Sequence, residues 1–217
     1  MKKRVSFKSV QPDLFVPHPA PAYKVIPEWY RSTKTTVDGV ETVKRCVPFL
    51  DSMTAGYTLT LAADVMFNKG SVQDISINGI VQSHADSQIG NLKIPSEYHK
   101  SVYKWINSFI MKTPKGYSTF FVHPVNRLDL PFYSFSGLVD TDKFPVEVNF
   151  PFLIKKDFVG IIPAGTPIAQ AIPVKREDWT SNIEDSSTYE RPAFIHTMHN
   201  PPFNFYKKHF WTRKKYS

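Results

Sequence analysis

The chain has 217 residues, a formal net charge of +8, 41% hydrophobic residues and 14% aromatic residues. This composition excludes an intrinsically disordered protein and can supply a buried core. The one cysteine, Cys46, excludes an internal disulfide, and no stretch approaches the roughly 20 apolar residues that span a bilayer. We therefore expect one non-membrane domain, with Cys46 buried as a small hydrophobic residue.

The positive charge lies at the two ends of the chain. Four basic residues precede the first acid, and residues 204–217 carry five more: Lys2, Lys3, Arg4 and Lys8, then Lys207, Lys208, Arg213, Lys214 and Lys215. Because these nine positive charges exceed the net charge of +8, the body between the two ends is nearly neutral. The pattern predicts two basic tails, which are either solvated ends or contacts for an acidic surface, protein or nucleic acid.

Residues 1–40 are predicted to form an extended, proline-rich arm. The segment 10–30 contains five prolines, which remove backbone donors and disfavour both a helix and a central strand. Its apolar residues, among them Trp29 and Tyr30, need a cover. We expect that cover to be the body of the chain or a neighbouring subunit, which makes Trp29 and Tyr30 candidate partner-binding residues.

Residues 41–180 are predicted to form a β-rich core. Strands are expected at 42–50, at 55–68 and at 72–82, where Ile75 and Ile77 lead to an Asn78–Gly79 turn. One helix is expected at about 96–112, since Ser96 can cap it and five apolar residues recur at helical spacing: Val102, Trp105, Ile106, Phe109 and Ile110.

Short apolar runs separated by Pro or Gly follow this segment, within residues 116–125, 132–140, 144–154, 157–165 and 166–174. Such runs indicate a β-sandwich or a jelly-roll-like barrel rather than an α/β sheet. Residues 181–217 are predicted to be a polar loop and a basic aromatic tail.

Two groups of residues suggest binding chemistry. His84 and Asp86 form an H-x-D pair that, with His196 or His199, would resemble the iron triad of an oxygenase; the alternative is loop histidines. The C-terminal tail interleaves cations with rings, which suits either single-stranded nucleic acid or a subunit interface. Its candidate partner-binding residues are Lys207, Lys208, Phe210, Trp211, Arg213, Lys214 and Lys215.

The segment "FSGLVDTDKFPVEVNFPF" (135–152) places Asp140 and Asp142 in an apolar, strand-like region. They are either a catalytic pair or the corner of a turn between two strands, since Asp side chains often bond nearby backbone donors in turns.

Four segments in chain order are similar to the dUTP pyrophosphatase superfamily: "AGYTLTLAADV" (55–65), "TPKGYSTFFVHP" (113–124), "FSGLVDTDKFPVEVNF" (135–150) and "FVGIIPAGTPIAQAIP" (158–173). The "GLVDTD" and "GTPIAQ" pieces are the most specific. With its closing "IPVKREDW" run, the chain also resembles an uncharacterised family of phages and bacteria. The first resemblance implies a β-clip fold of short strands, often trimeric.

The resemblance implies that Asp140 matches the base that activates water, Asp142 its partner in the turn, and Gln170 a residue bordering the phosphate site, with Mg²⁺ as cofactor. This chain departs from the family pattern in several places. Thr58 replaces the motif's Asp, Lys143 and Phe144 stand where a tyrosine is expected, and both the phosphate-gripping "PRSS" and the glycine-rich closing motif are missing.

From these features we expect an all-β, β-clip or dUTPase-like protein that is not an enzyme. It would be virus- or phage-encoded, would act by assembly as a homo-oligomer or with virion proteins, and would reside in the virion or host cytoplasm. A dUTPase-like hydrolase and an Fe(II)-dependent oxygenase remain alternatives. No cofactor is expected unless the hydrolase alternative holds.

Overall fold

A computed structural model of the protein describes residues 3–10, 16–73, 79–184 and 205–217. The first half of this described part contains two short α-helices and eight strands. They are, in chain order, β1 (Ser6–Ser9), β2 (Ala20–Pro21), α1 (Glu28–Ser32), β3 (Thr36–Val37), β4 (Val40–Glu41), α2 (Val47–Thr54), β5 (Tyr57–Thr60), β6 (Val65–Asn68), β7 (Ser71–Val72) and β8 (Val81–His84).

The remaining described elements are eight strands and one helix of the C-terminal tail. They are β9 (Val102–Trp105), β10 (Phe109–Lys112), β11 (Tyr117–Val122), β12 (Phe132–Ser134), β13 (Gly137–Val139), β14 (Phe150–Ile154), β15 (Gly160–Ile162), β16 (Pro167–Lys175) and α3 (Phe205–His209). The expectation of a β-rich fold is confirmed, whereas the β-clip assignment stays a prediction.

The described strands form five antiparallel sheets. The largest has the order β13-β11-β16-β5-β2, the next β12-β14-β9-β8, and the third β15-β6-β7. Two-stranded sheets pair β1 with β10 and β3 with β4. Strands β13 and β15 are therefore edge strands, each with one side that no described strand pairs.

One apolar core lies between the larger sheets. Trp105 of β9 stacks on Phe152 of β14 with ring centroids 3.7 Å apart, and Phe67 of β6 meets both rings edge-on. Leu59 of β5 and Phe121 of β11 complete the same buried cluster from the five-stranded sheet. Burial of such large rings supplies most of the stabilisation of a domain of this size.

The helix expected at about 96–112 is wrong, because this segment forms β9 and β10. Asn107 interrupts it: its side chain donates to the Phe109 carbonyl at 2.7 Å and accepts from the Phe109 amide at 3.1 Å. Asn side chains that bond the local backbone compete with helical hydrogen bonds. Phe109 and Met111 are buried while Ile110 and Lys112 are less so, which is the alternation of a strand.

The strand expected at 42–50 is also wrong. Thr42 accepts a hydrogen bond from the Lys44 amide at the start of a 3₁₀ turn, and α2 follows with Pro48 in its first turn. Proline suits that position because the first helical amides have no partner inside the helix. Cys46, just before α2, is exposed rather than buried.

The proline-rich arm is not extended throughout. It contributes β2 at the edge of the five-stranded sheet and then α1, which carries Trp29 and Tyr30. An edge position for β2 agrees with the limited pairing that proline allows. The expected strand residues Ile75 and Ile77, and Asn78 of the expected turn, lie outside the described residues.

Candidate functional site

The two carboxylates of the "VDTD" segment lie in a turn between two sheets. The Asp140 carbonyl accepts from the Lys143 amide at 2.9 Å and from the Phe144 amide at 2.8 Å. The chain enters this turn from β13 of the five-stranded sheet and leaves it towards β14 of the four-stranded sheet. The turn therefore fixes where the chain passes from one sheet to the other.

The Asp142 carboxylate is fully engaged inside the protein. Its Oδ2 accepts from the Gly116 amide at 2.9 Å, its Oδ1 accepts from Arg176 Nη1 at 2.9 Å, and Arg176 Nη2 donates to Oδ2. The side chain is only 4% exposed. The hydrogen bonds from Arg176, followed by the bond from Gly116, lower the pKa of Asp142 to about 2 although burial opposes the shift. Asp142 is thus ionised at neutral pH, and both of its carboxylate oxygens already accept hydrogen bonds.

Asp140 is the more accessible carboxylate. Its Oδ1 accepts from Ser118 Oγ at 2.7 Å and lies 3.2 Å from Arg176 Nη1, while half of the side chain remains exposed. Ser118 Oγ in turn accepts from Arg176 Nη1 at 3.0 Å. One guanidinium therefore serves two carboxylates, and the cluster carries a net negative charge.

Three threonine hydroxyls form a buried network beneath the turn. Thr141 Oγ1 lies 2.8 Å from Thr113 Oγ1 and 2.7 Å from Thr119 Oγ1, and Thr113 Oγ1 donates to the Tyr117 carbonyl. All three side chains are buried. A buried network whose members are all bonded fixes the position of the turn.

This cluster joins three of the sequence segments that carry the resemblance. Gly116 comes from "PKGY", Asp140 and Asp142 from "GLVDTD", and Arg176 from "IPVKREDW". Arg176 was not among the expected site residues. Its position in the closing run was the available signal, because an arginine directly after a strand can reach a neighbouring turn.

Gln170 does not join this cluster. Its Oε1 accepts from the Val125 amide at 3.1 Å, and its Nε2 donates to the carbonyls of Ser52 and Ala55 at 2.8 and 2.6 Å. In β16, Gln170 lies four residues from Val174, the pairing partner of Ser118, which is about 13 Å along a strand. Buried and fully bonded, Gln170 ties α2 and the 122–125 segment to the sheet.

The surface beside Asp140 is an open groove between charged and apolar side chains. Ser118, Leu138, Val174 and Arg176 line it, together with the exposed segment that follows β16. Leu138 of the edge strand β13 lies directly opposite Phe120 of β11. Both side chains are exposed, Leu138 to 64%.

A second exposed apolar pair lies on the three-stranded sheet. Met66 of β6 is the direct pairing partner of Ile161 of the edge strand β15, and more than half of each side chain is exposed. Val159, which precedes β15, is exposed as well. Two edge strands thus each present an apolar cross-strand pair to solvent.

The C-terminal tail packs on the body of its own chain. Trp211 Nε1 and Lys214 Nζ both donate to Asp51 Oδ2 of α2 at 2.7 Å. The Tyr216 ring meets the Tyr57 ring edge-on with centroids 6.1 Å apart. The other candidate partner-binding residues of this tail remain exposed: Lys207, Lys208, Phe210, Arg213 and Lys215.

The N-terminal candidates also contact the body. Tyr30 is 3% exposed and stacks on Phe49 of α2, and the Trp29 ring meets both of these rings. The arm is therefore covered by its own chain here, and Tyr30 offers little surface to a partner.

Most of the expected iron triad lies outside the residues that the structure describes. His84 ends β8 with Nδ1 3.3 Å from the Ala85 carbonyl. His196, His199 and the side chain of Asp86 lie outside the described residues. No group of three or more His, Cys, Asp or Glu side chains that could hold a metal occurs among the residues that are described.

No helix in the described ranges combines the length and the apolar character needed to cross a membrane. No protein-family model matches this chain, and no curated protein matches it.

Proposed function

We propose that this chain is a non-enzymatic, β-structured protein that acts by assembling with copies of itself. This proposal rests on two edge strands, β13 and β15, that each expose an apolar cross-strand pair to solvent. The pairs are Leu138 with Phe120 and Met66 with Ile161. Exposed edges and apolar patches are what neighbouring chains pair with and cover.

The bonding of the expected catalytic residues supports a structural role. The Asp142 carboxylate accepts hydrogen bonds from Arg176 and Gly116. The Gln170 side-chain amide is hydrogen-bonded to backbone groups. Arg176, the cation nearest Asp140, is balanced by two carboxylates. A bound triphosphate needs surplus positive charge, which this cluster does not supply.

More specifically, we propose that the protein is virus- or phage-encoded and has a virion structural or decoration-type role. It rests on the resemblance to a phage and bacterial family and on the β-clip fold which the first resemblance implies. The β-rich architecture and the apolar edges are compatible with it.

Charge introduced at each apolar pair tests the assembly. Leu138→Lys and Ile161→Lys should each weaken self-association, because burying such a side chain contributes about 1.5–3 kcal/mol per contact, or a ten-fold or greater loss in affinity. Leu128→Lys is the matched control, since Leu128 is an exposed leucine that belongs to neither pair. Sedimentation velocity over a concentration series measures the shift, and equal behaviour of all three variants contradicts the proposal.

A nucleotide hydrolase is the second candidate, because Asp140 keeps half of its side chain exposed beside an open groove. In that case Asp140 acts as the base with Mg²⁺ neutralising the phosphates. Incubation with dUTP or dCTP and Mg²⁺ should then release pyrophosphate, and Asp140→Asn should abolish the release. Turnover that depends on Asp140 overturns the non-enzymatic proposal.

A further inference from the structure

The two basic ends of the chain, which are far apart in sequence, meet on one aromatic ring. Phe7 of β1 contacts the Tyr57 ring with centroids 5.3 Å apart, and Tyr216 contacts the same ring from the C-terminal tail. Lys3 Nζ lies 4.1 Å from the centre of the Tyr117 ring in the same sheet. Both ends of the chain therefore contact the five-stranded sheet.

Strand β1 turns its basic side chains outward. Val5 and Phe7 pack against the core cluster, while Arg4 and Lys8, on the other face, are exposed. Ser6 between them lies opposite Lys112 of β10, which adds a cation to that face. The alternation follows from the period of a strand.

The tail adds several exposed cations. Residues 205–217 contain five Lys or Arg and no acid. Within the described part of the chain, only Lys214 of these five forms an ion pair, with Asp51. We name the terminal basic face by its exposed members in the tail: Lys207, Lys208, Arg213 and Lys215.

Exposed rings accompany these cations. Tyr206 and Phe210 lie one turn apart on and just after α3, with ring centroids 6.5 Å apart, and each ring is about half exposed. Aromatic rings set among cations provide the stacking surface and the phosphate contacts that single strands need.

We propose that the terminal basic face binds single-stranded nucleic acid, with phosphates on its cations and bases on Tyr206 and Phe210. The rings favour unpaired bases over a duplex, whose bases are already stacked. They also favour nucleic acid over an acidic protein, for which cations alone suffice. This inference is independent of self-assembly, since the tail is anchored to its own chain through Trp211 and Tyr216.

Fluorescence anisotropy with a labelled oligothymidylate of about twenty nucleotides tests the proposal on the full chain. Binding should weaken steeply with salt. Lys207→Glu/Lys208→Glu should reduce the slope of log affinity against log salt by about 1.4, since each lost phosphate contact lowers it by about 0.7. Tyr206→Leu/Phe210→Leu keeps apolar bulk but removes the rings, and it should weaken single-strand binding about five-fold or more.

The charge-matched control is Lys93→Glu/Lys100→Glu, two exposed lysines outside the face. The proposal is overturned if the wild-type chain does not bind at low salt, or if this control weakens binding as much as the tail variant does. It is equally overturned if polyglutamate displaces the oligonucleotide as well as unlabelled oligothymidylate does, which would indicate an acidic protein partner. Sedimentation of the same variants without oligonucleotide separates loss of binding from loss of assembly.

Discussion

At the scale of single residues, Arg176 connects the end of β16 with two other segments. It holds Asp142 through both guanidinium nitrogens and lies within 3.2 Å of Asp140. The paired geometry explains why Asp142 stays ionised at low pH, because a planar guanidinium matches both carboxylate oxygens. The same pairing removes Arg176 as a free phosphate ligand.

Acid titration should reveal the Asp142 contact. The pKa of Asp142 falls from its ordinary 3.8 to about 2 in the folded protein, so its contribution to stability is complete above about pH 4 and is lost as the pH falls towards 2. Asp142→Asn should flatten the decline of unfolding free energy in that window and lower the thermal midpoint at pH 7. Denaturant unfolding at a series of pH values measures both effects; a decline as steep as that of the wild type contradicts the assignment.

A second pH effect should come from His123. Its Nε2 donates to the Arg127 carbonyl and its Nδ1 accepts from the Ser134 amide, which describes a neutral ring. Burial lowers the pKa of His123 below its ordinary 6.5, although the bond to Arg127 and the charge of Asp129 oppose the shift.

Because the unfolded chain takes up a proton more readily than folded His123, stability should decrease as the pH falls below about 6.5. His123→Gln, which keeps a side-chain donor but does not titrate, should remove this decrease between pH 6.5 and the folded pKa. Thermal melts across that range provide the measurement, and an unchanged pH dependence would show that another group is responsible.

At the scale of elements, the strands within 55–68 and the late strands could be predicted, whereas the predictions for 42–50 and 96–112 were wrong. The runs at 116–125 and 166–174 became β11 and β16, because alternating or β-branched residues between turn residues leave little choice. The 96–112 segment was wrongly predicted to be a helix, because so few apolar residues fit both helical and strand spacing. The bonds of Asn107, which decide the matter, have no simple sequence signal.

The candidate site could likewise be predicted from the sequence only in part. The Asp140–Asp142 pair could be located from the sequence, and its turn followed from ordinary Asp chemistry. The partner Arg176 depends on long-range pairing of β16 with β11, which no local pattern reveals. The position of Gln170 away from the cluster likewise depends on the strand register.

Gly56 permits the close contact between the α2–β5 connection and β16. It has a φ of +69°, and a Cβ added there would lie 2.0 Å from the Ala171 carbonyl oxygen. Gly56→Ala should therefore cost both backbone strain and a clash with a central strand, about 3 kcal/mol or more.

Gly39→Ala is the matched control for this prediction. Gly39 has a φ of +78° but open space around its Cβ position, so only strain of about 1–2 kcal/mol is expected. Urea unfolding compares the two variants, and equal losses would show that the contact with β16 is not decisive.

At the scale of the whole molecule, one aromatic core holds the larger sheets together. Trp105 is fully buried and stacked on Phe152. Trp105→Ala should lower the unfolding free energy by about 3–5 kcal/mol, measured by urea unfolding. Exposed Trp179→Ala should change it by less than about 0.5 kcal/mol, and a similar loss in both variants would contradict this description of the core.

We propose two kinds of contact for the molecule's outer surface. Apolar pairs at β13 and β15 suit other copies of the chain, and the terminal basic face suits a polyanion. Neither surface uses the Asp140–Asp142–Arg176 cluster as a reaction centre. We therefore propose that the function lies on the exterior rather than in a catalytic pocket.

The mass of the full chain in solution tests the proposed self-assembly most directly. Sedimentation equilibrium across micromolar concentrations should give a multiple of the 24.9 kDa chain mass. A mass of 24.9 kDa at every concentration would contradict the claim.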